Sequence, residues 1–531
     1  MPPGPSPQWL GPGLLGGGRM KDLARAIHEA ATAKIRAQER RRKAAHDETV
    51  RRQRRSTSDL PVLKSRDPIF WAYDSSHNPY HVRARASSIS HAVDLAIKGG
   101  VYRPFPPAGF SVPKAGGKSR TVTTFAIADE VVSRRLYDSL MNKNRARLSA
   151  RSYAYRKDLG VHDAIAHMQS EWSDEHRLFV AQYDFTDYFG SIDHDHVMAT
   201  ISALALAITR TERRLLRSFM EAPLPTIIPA SMPLAAPRRV QGIHQGTTIS
   251  LLLANIAATP LDREFERLGV SFTRYADDIV VWSRDYSNLS RAVDELHRFA
   301  ERSRCRINHK KSKGVHLLTD PHVTGAEFQS IHDVEFLSNR VALRSVSLSD
   351  RSITLAREAT SEYIFNHLLR EPLAGSQDMR RIKDGLDRDY LALLSQLRRY
   401  LYGSLSEEQL RRLLRGPLPP MMSLGGLLGR HPLANDLEQL RALDSWMATQ
   451  IWLALRKRAR LVGGSGKSLP EPWGFTVGQL CEFMTKSTRG RRLPVDGRLP
   501  SAVRMSELVR RAVRAHGTRV ATHAGSLYNW G

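Results

Sequence analysis

Two acidic residues stand side by side between two short stretches of β-type residues near the middle of the chain. They are Asp277 and Asp278, which follow Tyr275 and Ala276 at the turn of a predicted β-hairpin. A third acid, Asp184, stands near the end of another predicted strand about 90 residues earlier. Adjacent carboxylates are costly to bury without a cation. If the strands share one sheet, the three acids can bind two divalent ions about 4 Å apart, as two-metal phosphoryl transfer requires.

The number of cysteines indicates which kind of metal ion the chain could bind. Cys305 and Cys481 are the only cysteines, too few for a disulfide framework or a four-cysteine zinc site. Oxygen ligands favour hard cations, so we expect two Mg²⁺ ions, with Mn²⁺ as the alternative, and a reducing, cytoplasmic location. One ion would lower the pKa of an attacking 3′-hydroxyl. The other would hold a triphosphate and neutralise the leaving pyrophosphate.

The acids must be positioned by a mixed sheet and helix domain. Short β-type runs alternate with amphipathic helices from about residue 101 to 345, and helical patterns dominate after that. This order predicts an α+β fold for the first part and a helical region for the second. The predicted strands are Phe110–Pro113, Arg120–Thr124, Phe179–Phe185, Phe272–Tyr275 and Ile279–Trp282.

The net charge points to a polyanionic partner. Lys and Arg total 80 against 53 Asp and Glu, a formal net charge of +27. Nucleic acid is the first candidate and an anionic membrane the second. No apolar run reaches the roughly 20 residues of a spanning helix, and residues 1–19 lack the order of a signal peptide. Basic residues crowd between Lys34 and Arg55, which predicts an RNA-binding arm, with a solvated helix face as the alternative.

A series of short motifs resembles the reverse transcriptase family over about Val101 to Phe328, somewhat under half of the chain. Each motif alone is weak, but their order and spacing together are specific. The motifs are Phe110–Lys114 with Gly117–Arg120, Ser152–Arg156, Tyr183–Phe189, Gln245–Ser250 with Asn255, Tyr275–Asp278, Asn308–Ser312 and Val323–Gly325.

The resemblance implies nucleotide-binding roles for six residues, one of which is Phe189, the aromatic gate. Lys114 and Arg120 would contact the incoming triphosphate from the fingers. Lys311 would face the nucleotide from the Asn-x-x-Lys-Ser motif. Gln245 and Gly246 would lie behind the nucleotide pocket.

The same resemblance assigns residues around the first metal ligand, Asp184. Phe185 would offer its backbone carbonyl to a metal ion, and Phe189 would be the aromatic gate under the sugar. Two positions depart from the family pattern. His244 and Leu251 stand where prolines are usual, so the shape of the pocket is expected to differ.

The resemblance also implies a right-hand polymerase with a fingers and palm core, an antiparallel palm sheet and an α-helical thumb. We place a basic N-terminal arm at residues 1–75 and the fingers and palm at 76–345. The helical thumb then occupies residues 346–415, and a C-terminal helical accessory region occupies 416–531.

The expected function is that of an RNA-directed DNA polymerase, which uses dNTPs and an RNA template to make a DNA product. The chain lacks the cysteines of an intron endonuclease and the acid spacing of an RNase H domain. Its architecture therefore favours the bacterial abortive-infection and defence-associated group, which makes cDNA from a dedicated non-coding RNA. A retron or group II intron maturase-like enzyme is the alternative, and a catalytically silent RNA-binding scaffold is the alternative of another class. No membrane partner is expected; a second copy of the chain and a second defence protein are further candidates.

Overall fold

The computed structural model describes residues 19–113, 119–223, 226–227, 239–321, 330–383, 385–463, 469–485 and 495–521. Its first elements form a helical layer beside a β-hairpin. They are α1 (Arg19–Gln53), α2 (Phe70–Tyr73), α3 (Pro79–Ala84), α4 (Ala86–Lys98), β1 (Ala108–Pro113), β2 (Ser119–Thr124) and α5 (Ile127–Asn144).

The long helix α1 packs on the fingers along one face. Leu23, Ile27, Ala31 and Ile35 are buried at intervals of four residues, which is the spacing of one helical stripe. This stripe contacts α3, α4 and α5, and Lys34 adds an ion pair of 2.9 Å to Glu130 of α5. The basic segment predicted from the sequence therefore continues a folded helix whose apolar stripe, from Leu23 to Ile35, lies mostly ahead of it in the chain.

The acidic strands lie in a five-stranded palm sheet with helices around it. The elements of this part are α6 (Val161–Trp172), β3 (Arg177–Tyr183), β4 (Phe185–Thr186), α7 (Tyr188–Ser191), α8 (His194–Ala203), α9 (Arg210–Met220), β5 (Thr226–Ile227), α10 (Thr248–Arg267), β6 (Ser271–Tyr275), β7 (Asp278–Ser283), α11 (Tyr286–Ser303), β8 (Arg306–Ile307), β9 (Gly314–Thr319), β10 (Ser330–Ile331), β11 (Val334–Phe336), β12 (Asn339–Val341) and β13 (Val346–Leu348).

The strand order of the palm sheet is β10-β9-β3-β7-β6. Strand β3 lies in the centre and pairs antiparallel with both β7 and β9, while β6 and β7 form a hairpin. Helices α10 and α11 cover one face through the main core cluster. Helix α6 and the small sheet β11-β12-β13 cover the other. The predicted α+β core with an antiparallel palm sheet is confirmed, and β10 adds in parallel to β9.

The region after β13 is mainly helical, as predicted. Its buried side chains form one apolar cluster that includes residues on both sides of the predicted thumb boundary at 415/416. Its elements are α12 (Asp350–Ile364), α13 (Arg370–Leu373), β14 (Ile382–Lys383), β15 (Leu386–Asp387), α14 (Arg388–Tyr402), α15 (Glu407–Arg415), α16 (Gly426–Arg430), α17 (Leu437–Val462), α18 (Val477–Glu482) and α19 (Ala502–His516).

Hydrogen bonds tie the helical region to the palm and to the end of α1. His431 Nδ1 lies 2.9 Å from the side-chain oxygen of Asn339 in β12. The Thr57 amide just after α1 donates to the carbonyl of Ser376 at 2.7 Å. Within the described residues, no helix combines the length and the apolar character needed to span a membrane.

Candidate active site

The register of the palm sheet brings two of the three predicted acids together. Tyr183 at the end of β3 lies opposite Ile279 in β7. The next residue of the chain, Asp184, therefore meets Asp278. Asp184 is buried, and its carboxyl group is close enough to that of Asp278 to raise the pKa of Asp278. Asp277 precedes Asp278 in the turn and acts on it electrostatically. The three acids therefore share one edge of the sheet.

A tight turn presents Asp277 and Asp278. Tyr275 pairs with Asp278, so the loop between β6 and β7 is the two-residue turn Ala276-Asp277. Ala276 has φ of 60°, in the left-handed region that non-glycine residues rarely adopt. Such a backbone conformation costs of order 1–3 kcal/mol and persists where the surroundings enforce it. The hairpin that carries the acids is thus held in a conformation that the turn alone would not choose.

The acids of this cluster repel one another. Burial, followed by repulsion from Asp277 and Asp184, raises the pKa of Asp278 to about 7, while Lys311 acts in the opposite direction. Buried carboxylates that raise one another's pKa in this way are common at functional sites and also occur in structural networks.

Lys311 forms an ion pair with the first acid, Asp184. Lys311 Nζ lies 3.1 Å from Asp184 Oδ2, and Asn308 Nδ2 donates to the same oxygen at 2.9 Å. The Asn308 amide also donates to the Asp184 carbonyl at 2.8 Å, so the turn after β8 wraps the end of β3. Partial burial lowers the pKa of Lys311, but the hydrogen bond and attraction to Asp184 outweigh it and the net shift is upward. No separate role for Asn308 was predicted from its motif.

The donor set fits Mg²⁺, although the acids are not arranged as a closed cage. In the part of the chain that the structure describes, no group of three or more His, Cys, Asp or Glu side chains is placed to hold a metal ion. One oxygen of Asp184 is bonded to Lys311 and Asn308 instead. Carboxylate oxygens are the ligands that Mg²⁺ prefers, and this ion keeps several waters rather than a complete protein cage.

An aromatic row joins the predicted gate to the acidic hairpin. The ring of Phe189 is buried and meets Tyr155 edge-on at 6.0 Å, and Tyr155 in turn lies 6.4 Å from Tyr275. The Phe189 carbonyl accepts a hydrogen bond of 2.8 Å from Ile243. Phe185 stacks on Tyr188 at 5.6 Å; the metal-binding role of its carbonyl stays a prediction.

Gly246 lets the fingers hairpin approach the palm. Gln245, next to it, accepts a hydrogen bond of 3.0 Å from the Thr123 amide in β2. Gly246 has φ of 147°, and a Cβ atom there would lie 1.9 Å from the Thr123 carbonyl oxygen. Only a residue without a side chain permits this contact. The loop that carries Gln245 and Gly246 therefore docks against the strand that carries Arg120.

The predicted triphosphate contacts fall only partly within the described residues. Arg120 lies in β2 opposite Val112 in β1. Lys114 lies outside the described residues, and so does the motif Val323–Gly325.

The two departures from the family pattern fill the core beside this loop. His244 is buried, with Nε2 lying 3.0 Å from the Ala222 carbonyl and 2.8 Å from an Arg239 guanidinium nitrogen. Burial and the neighbouring Arg239 lower the pKa of His244 to about 4, so the ring is neutral near pH 7. Leu251 is buried in α10. A hydrogen-bonding ring thus takes the place of a proline at the start of the loop.

Comparison with family models identifies the domain. Residues 112–347 match the model described as reverse transcriptase (RNA-dependent DNA polymerase). This range contains the palm sheet and the three acids and is somewhat under half of the chain. The chain therefore carries a reverse transcriptase domain, which confirms the polymerase class predicted from the motifs. Comparison with curated protein sequences returns no match.

Solved structures are similar at a lower level. Telomerase from Candida albicans in complex with a TWJ fragment of telomeric RNA is 13% identical with a TM-score of 0.36, covering 77% of this chain and 66% of that one. Apo telomerase from Candida tropicalis, truncated from its C-terminal domain, is 13% identical with a TM-score of 0.35, covering 50% and 60%. The RNA-dependent RNA polymerase of a human picobirnavirus is 14% identical with a TM-score of 0.34, covering 59% and 56%. The chain thus spans less than two thirds of each, and the assignment rests on the family match.

We expect Gly246→Ala to separate the loop from β2. The added methyl group would collide with the Thr123 carbonyl, so the fingers strand must move and nucleotide incorporation should fall at least about tenfold. Gly269→Ala is the matched control, because Gly269 also has a positive φ of 68° but nothing within 4 Å of its added Cβ. The control should lose only about 1 kcal/mol of stability. Steady-state incorporation and thermal melting of both variants test this, and equal behaviour would contradict it.

Proposed function

We propose that this chain, which carries a reverse transcriptase domain at residues 112–347, extends a DNA strand along an RNA template using dNTPs. The observation that carries the proposal is the meeting of Asp184 with Asp278 and Asp277 at one sheet edge inside that domain. Three acids that repel one another at one sheet edge are unfavourable in a structural core and suitable for phosphoryl transfer. A scaffold that only binds RNA would have no need for this arrangement.

In this proposal Asp184, Asp277 and Asp278 hold two Mg²⁺ ions, with Mn²⁺ as the alternative and the Phe185 carbonyl as a further ligand. When bound, such ions activate the 3′-hydroxyl and neutralise the leaving pyrophosphate. Lys311 keeps its charge, because the net shift of its pKa is upward. Its side chain is largely exposed, so it can turn from Asp184 toward the phosphates of an incoming nucleotide.

The remaining nucleotide contacts are proposed from the motif positions. Lys114 and Arg120 would bind the triphosphate from the fingers. Gln245 and Gly246 would close the pocket behind the base, which is consistent with the docking of their loop on β2. Phe189 would lie under the sugar and exclude a 2′-hydroxyl, because its ring is packed against Tyr155 and cannot easily move away.

The template is proposed to be a dedicated non-coding RNA, in a bacterial antiviral defence system in the cytoplasm. The support is the combination of a +27 chain with a mainly helical region after the palm. A retron or intron maturase-like enzyme remains the alternative. Sequencing the nucleic acid that copurifies with the full chain, with and without nuclease treatment, distinguishes these cases. A single structured RNA with its partial cDNA supports the proposal, and intron ends would support a maturase.

The exposed face of α1 is proposed to bind RNA. Arg36, Arg40 and Lys43 are exposed and follow one another at intervals of four and three residues. That spacing puts them on one stripe, apart from the buried stripe of Leu23, Ile27, Ala31 and Ile35. The helix can therefore offer positive charge to phosphates while its other face stays in the core.

Asp277→Asn should abolish DNA synthesis. The substitution removes one charged ligand from the proposed metal site, and we expect a loss of about 1000-fold or more in the rate of dNTP incorporation. Primer extension on an RNA template with Mg²⁺ measures it. Asp195→Asn is the control, because Asp195 is an exposed acid in the first turn of α8. Full activity of Asp277→Asn in this assay would refute the proposed mechanism.

Phe189→Ala should relax the choice of sugar. Removing the ring opens space where a 2′-hydroxyl would lie, so the preference for dNTPs over rNTPs is expected to fall about 10- to 100-fold. Competing incorporation of matched dNTP and rNTP gives the ratio. Tyr188→Phe is the control, because it keeps the neighbouring ring and removes only the hydroxyl that donates to Ala254. The gate assignment is wrong if the unmodified enzyme already uses both sugars equally.

Neutralising the stripe on α1 should weaken RNA binding in a salt-dependent way. For the triple variant Arg36→Gln, Arg40→Gln and Lys43→Gln, log affinity plotted against log salt should become shallower. The slope should change by about 0.7 for each RNA phosphate that the variant no longer neutralises. Fluorescence anisotropy with a single-stranded RNA at several salt concentrations provides the slope.

The matched control removes the same charge elsewhere. Arg267, Arg284 and Arg298 are exposed, and each is already paired with a glutamate. Their triple change to Gln should leave the slope unchanged. Equal slopes for both triple variants would show that α1 contributes only general charge and makes no specific contact.

A further inference from the structure

A fully buried arginine lies directly behind the acidic hairpin. Arg274 is in β6, three residues before Asp277, and neither it nor its partner Asp262 in α10 is accessible to solvent. Its guanidinium makes two hydrogen bonds to the Asp262 carboxylate, of 2.7 Å and 2.6 Å. A fork of this kind fixes the plane of the guanidinium.

The remaining hydrogens of the guanidinium are used on three other residues. Nη2 donates to Ser152 Oγ at 2.8 Å, and Nη1 donates to the side-chain oxygen of Asn255 at 3.2 Å. Nη1 also donates to the carbonyl of Ala276 at 3.2 Å. The backbone of Arg274 pairs with the segment of Ser152 as well, because the Tyr153 amide donates to the Arg274 carbonyl at 2.9 Å.

The contact with Ala276 is the one that bears on chemistry. Ala276 is the residue held at φ of 60°, and it immediately precedes Asp277. A donor on its carbonyl favours this orientation of the peptide group between Ala276 and Asp277. Asp262 and Asn255 belong to the core helix α10. The hydrogen bonds of Arg274 therefore fix the turn relative to that helix.

We propose that Arg274 is the positioning residue of the acidic hairpin, which fixes the turn Ala276-Asp277 so that the acids are presented together for divalent-ion binding. The inference rests on the proposed function for its chemistry. A buried charge pair can also serve stability alone, and an apolar pair of similar volume often replaces it without loss of folding. The two roles therefore predict different behaviour for the same variants.

The first variant replaces the pair, as Arg274→Met with Asp262→Leu. We expect its melting midpoint to stay within about 5 °C of the parent, while Mn²⁺ affinity and kcat each fall tenfold or more. Mn²⁺ binding is followed by electron paramagnetic resonance on the protein without nucleotide or RNA, and kcat is measured with dNTP on a primed RNA template. KM for dNTP should change less than kcat. A folded double variant with parental Mn²⁺ affinity and kcat would overturn the proposal.

The second variant, Arg274→Lys, keeps the charge opposite Asp262. A single ammonium group cannot also reproduce the donors to Ala276 and Ser152, so we expect folding to persist and Mn²⁺ affinity to fall about tenfold. This variant decides the question if the double variant does not fold.

Arg458→Lys is the matched control. Arg458 is equally buried and pairs with Asp387 at 2.6 Å, but in the helical region after the palm. It should alter stability and leave Mn²⁺ affinity unchanged. An equal loss of Mn²⁺ affinity in both lysine variants would overturn the proposal. Because Mn²⁺ binding is read without catalysis, an inactive parent enzyme would refute the proposed function and leave the test of Arg274 intact.

Discussion

Repulsion among three carboxylates is the constraint around which the palm is organised. Asp184, Asp277 and Asp278 come from the end of β3 and from the turn between β6 and β7, and the pairing of β3 with β7 forces them to one edge. Neighbouring carboxylates of like charge are unfavourable unless a cation lies between them. The backbone pairing of the strands that carry the acids offsets this repulsion. Lys311 and Asn308 also bond to the Asp184 carboxylate.

The same constraint explains why buried polar groups collect behind the hairpin. A turn that carries two repelling acids and a residue at positive φ would relax if it were attached only to its own strands. Arg274 joins it to α10 and to the segment of Ser152 through hydrogen bonds at nearly every guanidinium position. Buried charges of this kind are tolerated because each is fully paired.

Most of the palm could be predicted from local sequence patterns. The strands expected at Phe272–Tyr275 and Ile279–Trp282 are observed as Ser271–Tyr275 and Asp278–Ser283, because β-branched and aromatic residues on both sides of two acids admit little else. The contact of Asp184 with Asp278 followed from the same pattern. Arg274 could not be recognised in this way, since its partners lie up to 122 residues away and only the folded chain brings them together.

Helix α1 shows how long-range packing adds to what local composition indicates. Its basic residues between Lys34 and Arg55 dominate the local composition and predict an RNA-binding arm. Four buried apolar residues at intervals of four, from Leu23 to Ile35, pack the start of the helix on the fingers. The helix packs on α3, α4 and α5, and the segment after it bonds to the helical region through Thr57 and Ser376. Helix α1 therefore contacts the fingers, and the segment that follows it contacts the region after the palm. Because the exposed stripe of this helix is proposed to bind RNA, RNA held there would lie against a helix that is packed on the fingers.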